Sequence, residues 1–257
     1  MHDLRNEVAR FYDAATTYGG DVEFYMEHID KDNPTILELG CGTGRVTIPL
    51  ANNCEFIHGV DISSAMLTVC KEKIEESKLP KEQIKVELAD ITKLELNRKF
   101  GLIVAPYRVF QNLASDEETD GFFDVVKRHL APGGACILNV FNPKSSAEDL
   151  IAKWSAPNEQ LEDETPHKDG VVKSYVVKSK ITTEPLVIHP TLIYRYFEGE
   201  KLEEEVQFEV PMRVYYPDEF KKTIEDHGFK IVESWGGYKG QPYGEFGGEL
   251  VVKFVRA

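Results

Sequence analysis

Apolar and polar residues follow two different periods along the first 141 positions. Short apolar runs at 36–39, 55–61, 84–88, 100–105 and 136–141 have the length of buried strands. Between them, apolar residues recur at helical spacing: Met66, Cys70 and Ile74, then Phe122, Val126 and Leu130. Residues 45–52 form a further amphipathic segment. Ahead of the first strand, Leu4, Val8, Phe11 and Ala15 predict a helix over 4–18, broken at Gly19-Gly20. A second helix fits 22–28 and ends before Asn33-Pro34. Start and stop signals agree with these periods. Ser63 or Ser64 caps one helix, Ser115 and Glu118 form a capping box, and Ala131-Pro-Gly-Gly134 stops a helix before the fifth strand.

Beyond Pro143 the pattern changes. Residues 158–170 are polar, with Glu159, Glu162, Asp163 and Glu164, and predict an exposed loop. Stretches at 171–180, 192–197 and 205–214 then alternate with period two. In the last, Val206, Phe208, Val210, Met212 and Val214 face one way, and Gln207, Glu209 and Arg213 the other. Strands without intervening helices predict an antiparallel sheet, whose apolar face must cover something. The open edge of a ligand cleft is the natural candidate. Pro217, Phe220, Ile224 and Gly228 mark a helix, and 229–235 with 249–255 a closing hairpin. The expected fold is α/β: a doubly wound, seven-stranded, mostly parallel sheet with a C-terminal antiparallel hairpin, plus an inserted antiparallel β lid. Residues 1–142 and 215–257 form its main domain, with a helical lid ahead of the first strand. Residues 143–214 form the insert.

Chemistry enters at the end of the first strand. Glu38, Gly40, Gly42 and Gly44 give the pattern E-x-G-x-G-x-G between a strand and a helix. Such a turn brings bare backbone N–H groups and a helix start against a nucleotide-like ligand. A dinucleotide fingerprint starting at Gly40 needs glycine at position 45, where this chain has Arg45. Asp61 ends the second strand, 21 positions after Gly40, about the interval at which an acid meets ribose hydroxyls. A carboxylate accepts two hydrogen bonds from such a diol. Together with the Pro-Gly-Gly turn and the C-terminal hairpin, this stretch resembles the class I (Rossmann-like) S-adenosylmethionine-dependent methyltransferases, of small-molecule type. The resemblance covers about residues 10–141 and 215–257.

The resemblance implies S-adenosylmethionine as cofactor and S-adenosylhomocysteine as product. It places Tyr18, Glu38, Gly40, Cys41, Gly42, Gly44, Asp61, Ile62, Met66, Asp90, Ile91 and Ala105 at the cofactor. Glu38 then orients the loop or holds the cofactor's amino end, and Met66 packs near the adenine. Asp90 takes the adenine amino group or caps a turn. The segment after the fourth strand faces the methyl, so Arg108, Gln111 and Asn112, with Tyr12, are acceptor-site candidates. Arg108 holds an acceptor's carboxylate or phosphate, or pairs with a structural acid. The catalytic base is unassigned. The histidines show no metal-ligand spacing, and a lone His58 on a buried strand reads as a core residue.

Charge narrows the partners. The net charge is −14, from 30 Lys and Arg against 44 Asp and Glu, without a basic cluster. Nucleic acid and anionic membrane surfaces are therefore not expected partners. Cys41, Cys54, Cys70 and Cys136 form no C-x-x-C pair and read as buried free thiols. The first residues lack an apolar signal core, so a cytoplasmic protein is expected, as monomer or homodimer. The expected activity is methyl transfer to a small-molecule acceptor, with nitrogen ahead of oxygen. The alternative is a non-catalytic S-adenosylmethionine-binding sensor or partner subunit.

Overall fold

The computed structural model describes residues 9–15, 20–244 and 247–257. The strand carrying Glu38, β1 (Thr35–Leu39), is buried along its whole length and sits inside a seven-stranded sheet. β2 (Phe56–Asp61) and β3 (Ile84–Leu88) extend that sheet on one side, both parallel to β1. β4 (Phe100–Ala105) and β5 (Leu130–Phe141) extend it on the other, again parallel. The C-terminal hairpin completes it: β12 (Glu249–Arg256) runs antiparallel to both β5 and β11 (Phe229–Trp235). The order is β3-β2-β1-β4-β5-β12-β11. Successive strands leave β1 in opposite directions, so a crevice opens between the carboxyl ends of β1 and β4, where open α/β sheets bind ligands.

Successive residues of β1 face opposite layers, as strand geometry dictates. Ile36 joins the layer of α2 (Asp21–Glu27) and α3 (Thr47–Ala51), packed through Phe24, Tyr25 and Leu50. Leu37 joins the layer of α5 (Asp116–His129) and α7 (Pro217–Asp226), packed through Phe122, Phe123, Phe220 and Ile224. Truncating a fully buried ring such as Phe122 to alanine costs about 3–5 kcal/mol. The capping signals operate as written. Ser63 Oγ accepts the Met66 N–H at the start of α4 (Ser64–Ser77), and Ser115 and Glu118 form the full box on α5.

The strand following α5 differs from expectation. β5 starts at Leu130, and Ala131-Pro-Gly-Gly134 forms an irregularity inside it instead of a separate turn. The register jumps from Phe100↔Leu130 to Leu102↔Ala135, with Gly133 at φ 78°. The first helix is described as α1 (Ala9–Ala15); the rest of its expected span, including Tyr18, lies outside the described residues.

The insert is a second, antiparallel sheet. A helix not foreseen from the sequence, α6 (Ala147–Trp154), leads into it, capped by Ser146. The polar stretch expected to be a loop is β6 (Glu159–His167), paired along β7 (Gly170–Thr183). It is an edge strand whose charges are paired, Glu164 with Lys173 across the ladder and Glu159 with Arg195 one strand further on. β8 (Leu186–Glu198) pairs with β7 on one edge. Its other edge is shared by β9 (Lys201–Glu209) and β10 (Met212–Arg213). Among the described residues no helix is long and apolar enough to cross a membrane.

Candidate functional site

One cavity of about 630 Å³ lies over the carboxyl ends of β1, β2 and β4, and the insert closes its far side. Gly40, Cys41, Gly42, Glu38, Asp61 and Met66 line the sheet end. The glycine turn is fixed by the backbone: the N–H groups of Gly40 and Cys41 both donate to Val60 O, at 2.8 and 3.0 Å. Gly40 has φ 82°, and a Cβ there would stand 2.5 Å from Val109 Cγ2. Gly42 differs. Its φ is 53°, and nothing lies within 4 Å of where its Cβ would be, so its bare Cα faces open space. Gly44 does not line the cavity; Cys70 Sγ would lie 2.7 Å from a Cβ there.

Two carboxylates face this turn. Asp61 is 5 % exposed, and each of its oxygens accepts one backbone N–H at 2.8 Å, Oδ2 from Gly42 and Oδ1 from Ser63. A carboxylate oxygen has a second lone pair, so capacity remains for a ligand. Glu38 is buried, and its Oε2 accepts the Thr47 hydroxyl at 2.6 Å. Its Oε1 accepts no hydrogen bond among the described residues. Burial pushes the Glu38 carboxyl up to about 8, the Thr47 hydroxyl pulling the other way. A buried acid with an open oxygen on a cavity suits a cationic group.

The residues after β4 are strained. Tyr107 and Arg108 are consecutive non-glycine residues at φ 53° and 65°, and both line the cavity. Arg108 pairs with a buried acid. Its Nε and Nη2 donate to Glu249, whose other oxygen accepts Asn139 Nδ2 at 2.7 Å. Gln111 is fully buried and serves the scaffold: Nε2 donates to Arg213 O, and Oε1 accepts the Phe141 N–H. Asn112 lines the cavity and donates to Pro211 O at 3.1 Å. These two amides strap the returning end of the insert to the sheet.

The N-terminal helices are tied to the glycine turn by acids. Asp13 accepts the Thr43 hydroxyl at 2.7 Å and Lys73 Nζ at 2.6 Å, which brings Tyr12 to the cavity wall. Asp21, itself buried, holds Arg45 bidentately at 2.7 and 2.8 Å. Asp90 sits outside the lining and accepts both the N–H and the hydroxyl of Thr92, the turn-capping alternative. Ile91 is likewise outside the lining, Ala105 is fully buried, and Ile62 is 60 % exposed beside Asp61. His58 is buried beside Glu87 and does not reach the cavity.

The insert supplies a wall that sequence reasoning resolved only as an apolar face. Phe208, Val210 and Met212 from that face line the cavity, joined by Tyr194, Leu192 and, from α6, Trp154. Helical spacing of Leu150 and Trp154 behind Ser146 was the signal available for α6.

Residues 36–134 match a family model described as a methyltransferase domain. Over those residues the chain carries a methyltransferase domain. Its fold is shared by an S-adenosylmethionine-dependent methyltransferase from Clostridium acetobutylicum, with TM-score 0.78, 21 % identity and 99 and 100 % of the two chains covered. CcbJ methyltransferase from Streptomyces caelestis is similar to it at TM-score 0.77 and 21 % identity, over 99 and 98 % of the chains. Among curated relatives, the cypemycin N-terminal methyltransferase of Streptomyces is 30 % identical over 48 % of this chain and 49 % of its own. A tRNA (carboxymethyluridine(34)-5-O)-methyltransferase of Arabidopsis thaliana is 26 % identical over 58 and 36 %. The chain thus spans about half or less of the length of these curated relatives. The methyltransferase domain's cavity fits its cofactor on two observations: the empty space at Gly42 and the open Glu38 oxygen.

Proposed function

We propose that the protein transfers a methyl group from S-adenosylmethionine to a nitrogen of a small molecule. The observation that carries this reading is the single cavity joining the glycine turn, Glu38 and Asp61 to the aromatic wall of the insert. Asp61 holds the ribose hydroxyls, Glu38 the cofactor's ammonium, and Met66 and Ile62 the adenine. The cofactor supplies an electrophilic methyl: the acceptor's lone pair forms the new bond as the carbon–sulfur pair returns to sulfur. The chain's part is to exclude water and to align the acceptor.

Nitrogen is favoured over oxygen because an amine asks less of the chain than a hydroxyl does. A hydroxyl needs a base to become a nucleophile, whereas an amine that sheds its proton on desolvation carries its own lone pair. Curated relatives named as N-methyltransferases support the same choice, including a dTDP-3-amino-3,6-dideoxy-alpha-D-glucopyranose N,N-dimethyltransferase of Streptomyces fradiae, 23 % identical over 145 residues. The test is incubation with methyl-labelled S-adenosylmethionine and a metabolite extract, with mass spectrometry of the labelled product. An N-methyl product is expected. A labelled ether or ester overturns the nitrogen assignment, and a chain that binds S-adenosylhomocysteine but labels nothing becomes a binder instead of an enzyme.

A further inference from the structure

The insert-side wall carries information about the acceptor, resting on the methyl transfer proposed above. Tyr194 and Phe208 present near-parallel rings there, with centroids 6.2 Å apart and planes 17° from each other. Trp154 and Ile188, both buried, continue the apolar surface. Opposite them Tyr12 and Tyr107 meet edge to face at 6.3 Å.

The two arginines on the cavity are matched already. Arg45 is held bidentately by Asp21, and Arg108 lies on Glu249. Lys178 donates to the neutral Gln160 at 2.6 Å. A diphosphate held by arginine would have to draw Arg45 from Asp21 or Arg108 from Glu249, taking the cation from a buried acid. An apolar body demands no such rearrangement, and burying it is favourable in proportion to its area.

The wall's polar atoms include the Tyr194 hydroxyl. Tyr194 is 7 % exposed, and its hydroxyl makes no hydrogen bond among the described residues. Burial pushes its pKa above the ordinary tyrosine value, with Tyr107 adding to the effect, so the phenol stays neutral. A neutral phenol oxygen can accept an N–H and leave the nitrogen lone pair free for the methyl. After transfer the nitrogen bears the positive charge that the sulfonium had, and the surrounding π faces favour a cation.

We propose that the acceptor is an amine borne on an apolar, arene-sized body without phosphate, and that the Tyr194 hydroxyl accepts one of its N–H groups. Tyr194 is thus a residue that sets acceptor specificity.

The test is calorimetry on the protein loaded with S-adenosylhomocysteine. Tyramine and 3-phenylpropylamine are titrated beside a dTDP-3-amino sugar. At least one arylalkylamine is expected to bind about tenfold more tightly than the nucleotide sugar. Tyr194→Phe is expected to weaken that amine about tenfold, the worth of one hydrogen bond, with S-adenosylhomocysteine affinity and melting temperature unchanged. Trp154→Ala should weaken it further through lost contact area. Tighter binding of the nucleotide sugar overturns the inference, as does failure of both arylalkylamines to saturate. Equal affinity in Tyr194→Phe removes Tyr194 from the assignment. Failure of S-adenosylhomocysteine itself to bind is a different result, which overturns the methyltransferase reading and this inference with it.

Discussion

Asp61 offers the sharpest perturbation, because its two oxygens each hold a different backbone N–H. Replacing it with asparagine preserves size but leaves one acceptor where there were two. The amide oxygen can keep either Gly42 or Ser63, each now at 2.8 Å from a carboxylate oxygen. The other N–H then faces an NH₂ group, donor against donor. Hydrogen bonds to a charged acceptor contribute about 1.5–3 kcal/mol each. At roughly 2–4 °C per kcal/mol for a chain of this size, Asp61→Asn should melt about 3–12 °C lower without ligand.

The same substitution should weaken S-adenosylhomocysteine binding by more than the stability loss alone explains, since a ribose hydroxyl also loses its acceptor. About tenfold to a hundredfold in Kd is expected by calorimetry, at a temperature where the variant is fully folded. Ser63→Ala separates the two effects. It removes the cap that receives the Met66 N–H but leaves the carboxylate in place, so it should cost about 1 kcal/mol of stability and leave affinity nearly unchanged. Asp61→Asn that melts and binds like the parent protein would refute both the loop-clamping and the ribose role.

The two glycines of the turn should respond differently. Gly40→Ala forces a Cβ to 2.5 Å from Val109 at φ 82° and should destabilise by about 1–3 kcal/mol or more, read by thermal melting. Gly42→Ala meets no atom, so it should cost about 1–2 kcal/mol of backbone strain yet strongly weaken S-adenosylhomocysteine, and unchanged affinity would refute cofactor contact there. Glu38 has a folded pKa of about 8 against 4.5 for the free side chain, so the native state holds its proton more tightly. The ligand-free protein should therefore lose stability as pH rises from about 4.5 to about 8, and Glu38→Gln should flatten that slope in denaturant titrations. Arg108→Ala takes the guanidinium from the buried Glu249 and should cost about 3–5 kcal/mol; a melting temperature within a degree of the parent's would refute the structural role.

Much of the main sheet was legible because its strands are short apolar runs whose length and flanking turn residues leave little choice. β4, buried at every position, reads directly as a parallel central strand. β6 was missed for the opposite reason. Its sequence is that of a solvated loop, and what makes it a strand is the partner β7, with charges matched across the ladder. Backbone pairing of that kind leaves no trace in local periodicity. Charge partners were equally hidden. Arg45 and Asp21 lie 24 positions apart, Arg108 and Glu249 lie 141 apart, and only the assembled sheet makes them neighbours. The left-handed pair Tyr107 and Arg108 gave no signal either, since neither residue type favours that conformation.

The site itself divides along the same line. The methyltransferase-domain match ends at residue 134, so it contains the glycine turn, Asp61 and the strained segment after β4. It stops short of Trp154, Tyr194 and Phe208, which form the facing wall. The proposed cofactor half is built largely from backbone at the carboxyl edge of the sheet. There glycine spacing and a terminal acid are dictated by geometry, and a short motif can announce them. The proposed acceptor half is built from side chains on a separate sheet, strapped to the first by Gln111 and Asn112. Those side chains can change without moving Gly42 or Asp61, so nothing in the motif constrains them. A glycine motif therefore identifies which group is donated, while the molecule that receives it must be sought in the insert, beginning with the Tyr194 hydroxyl.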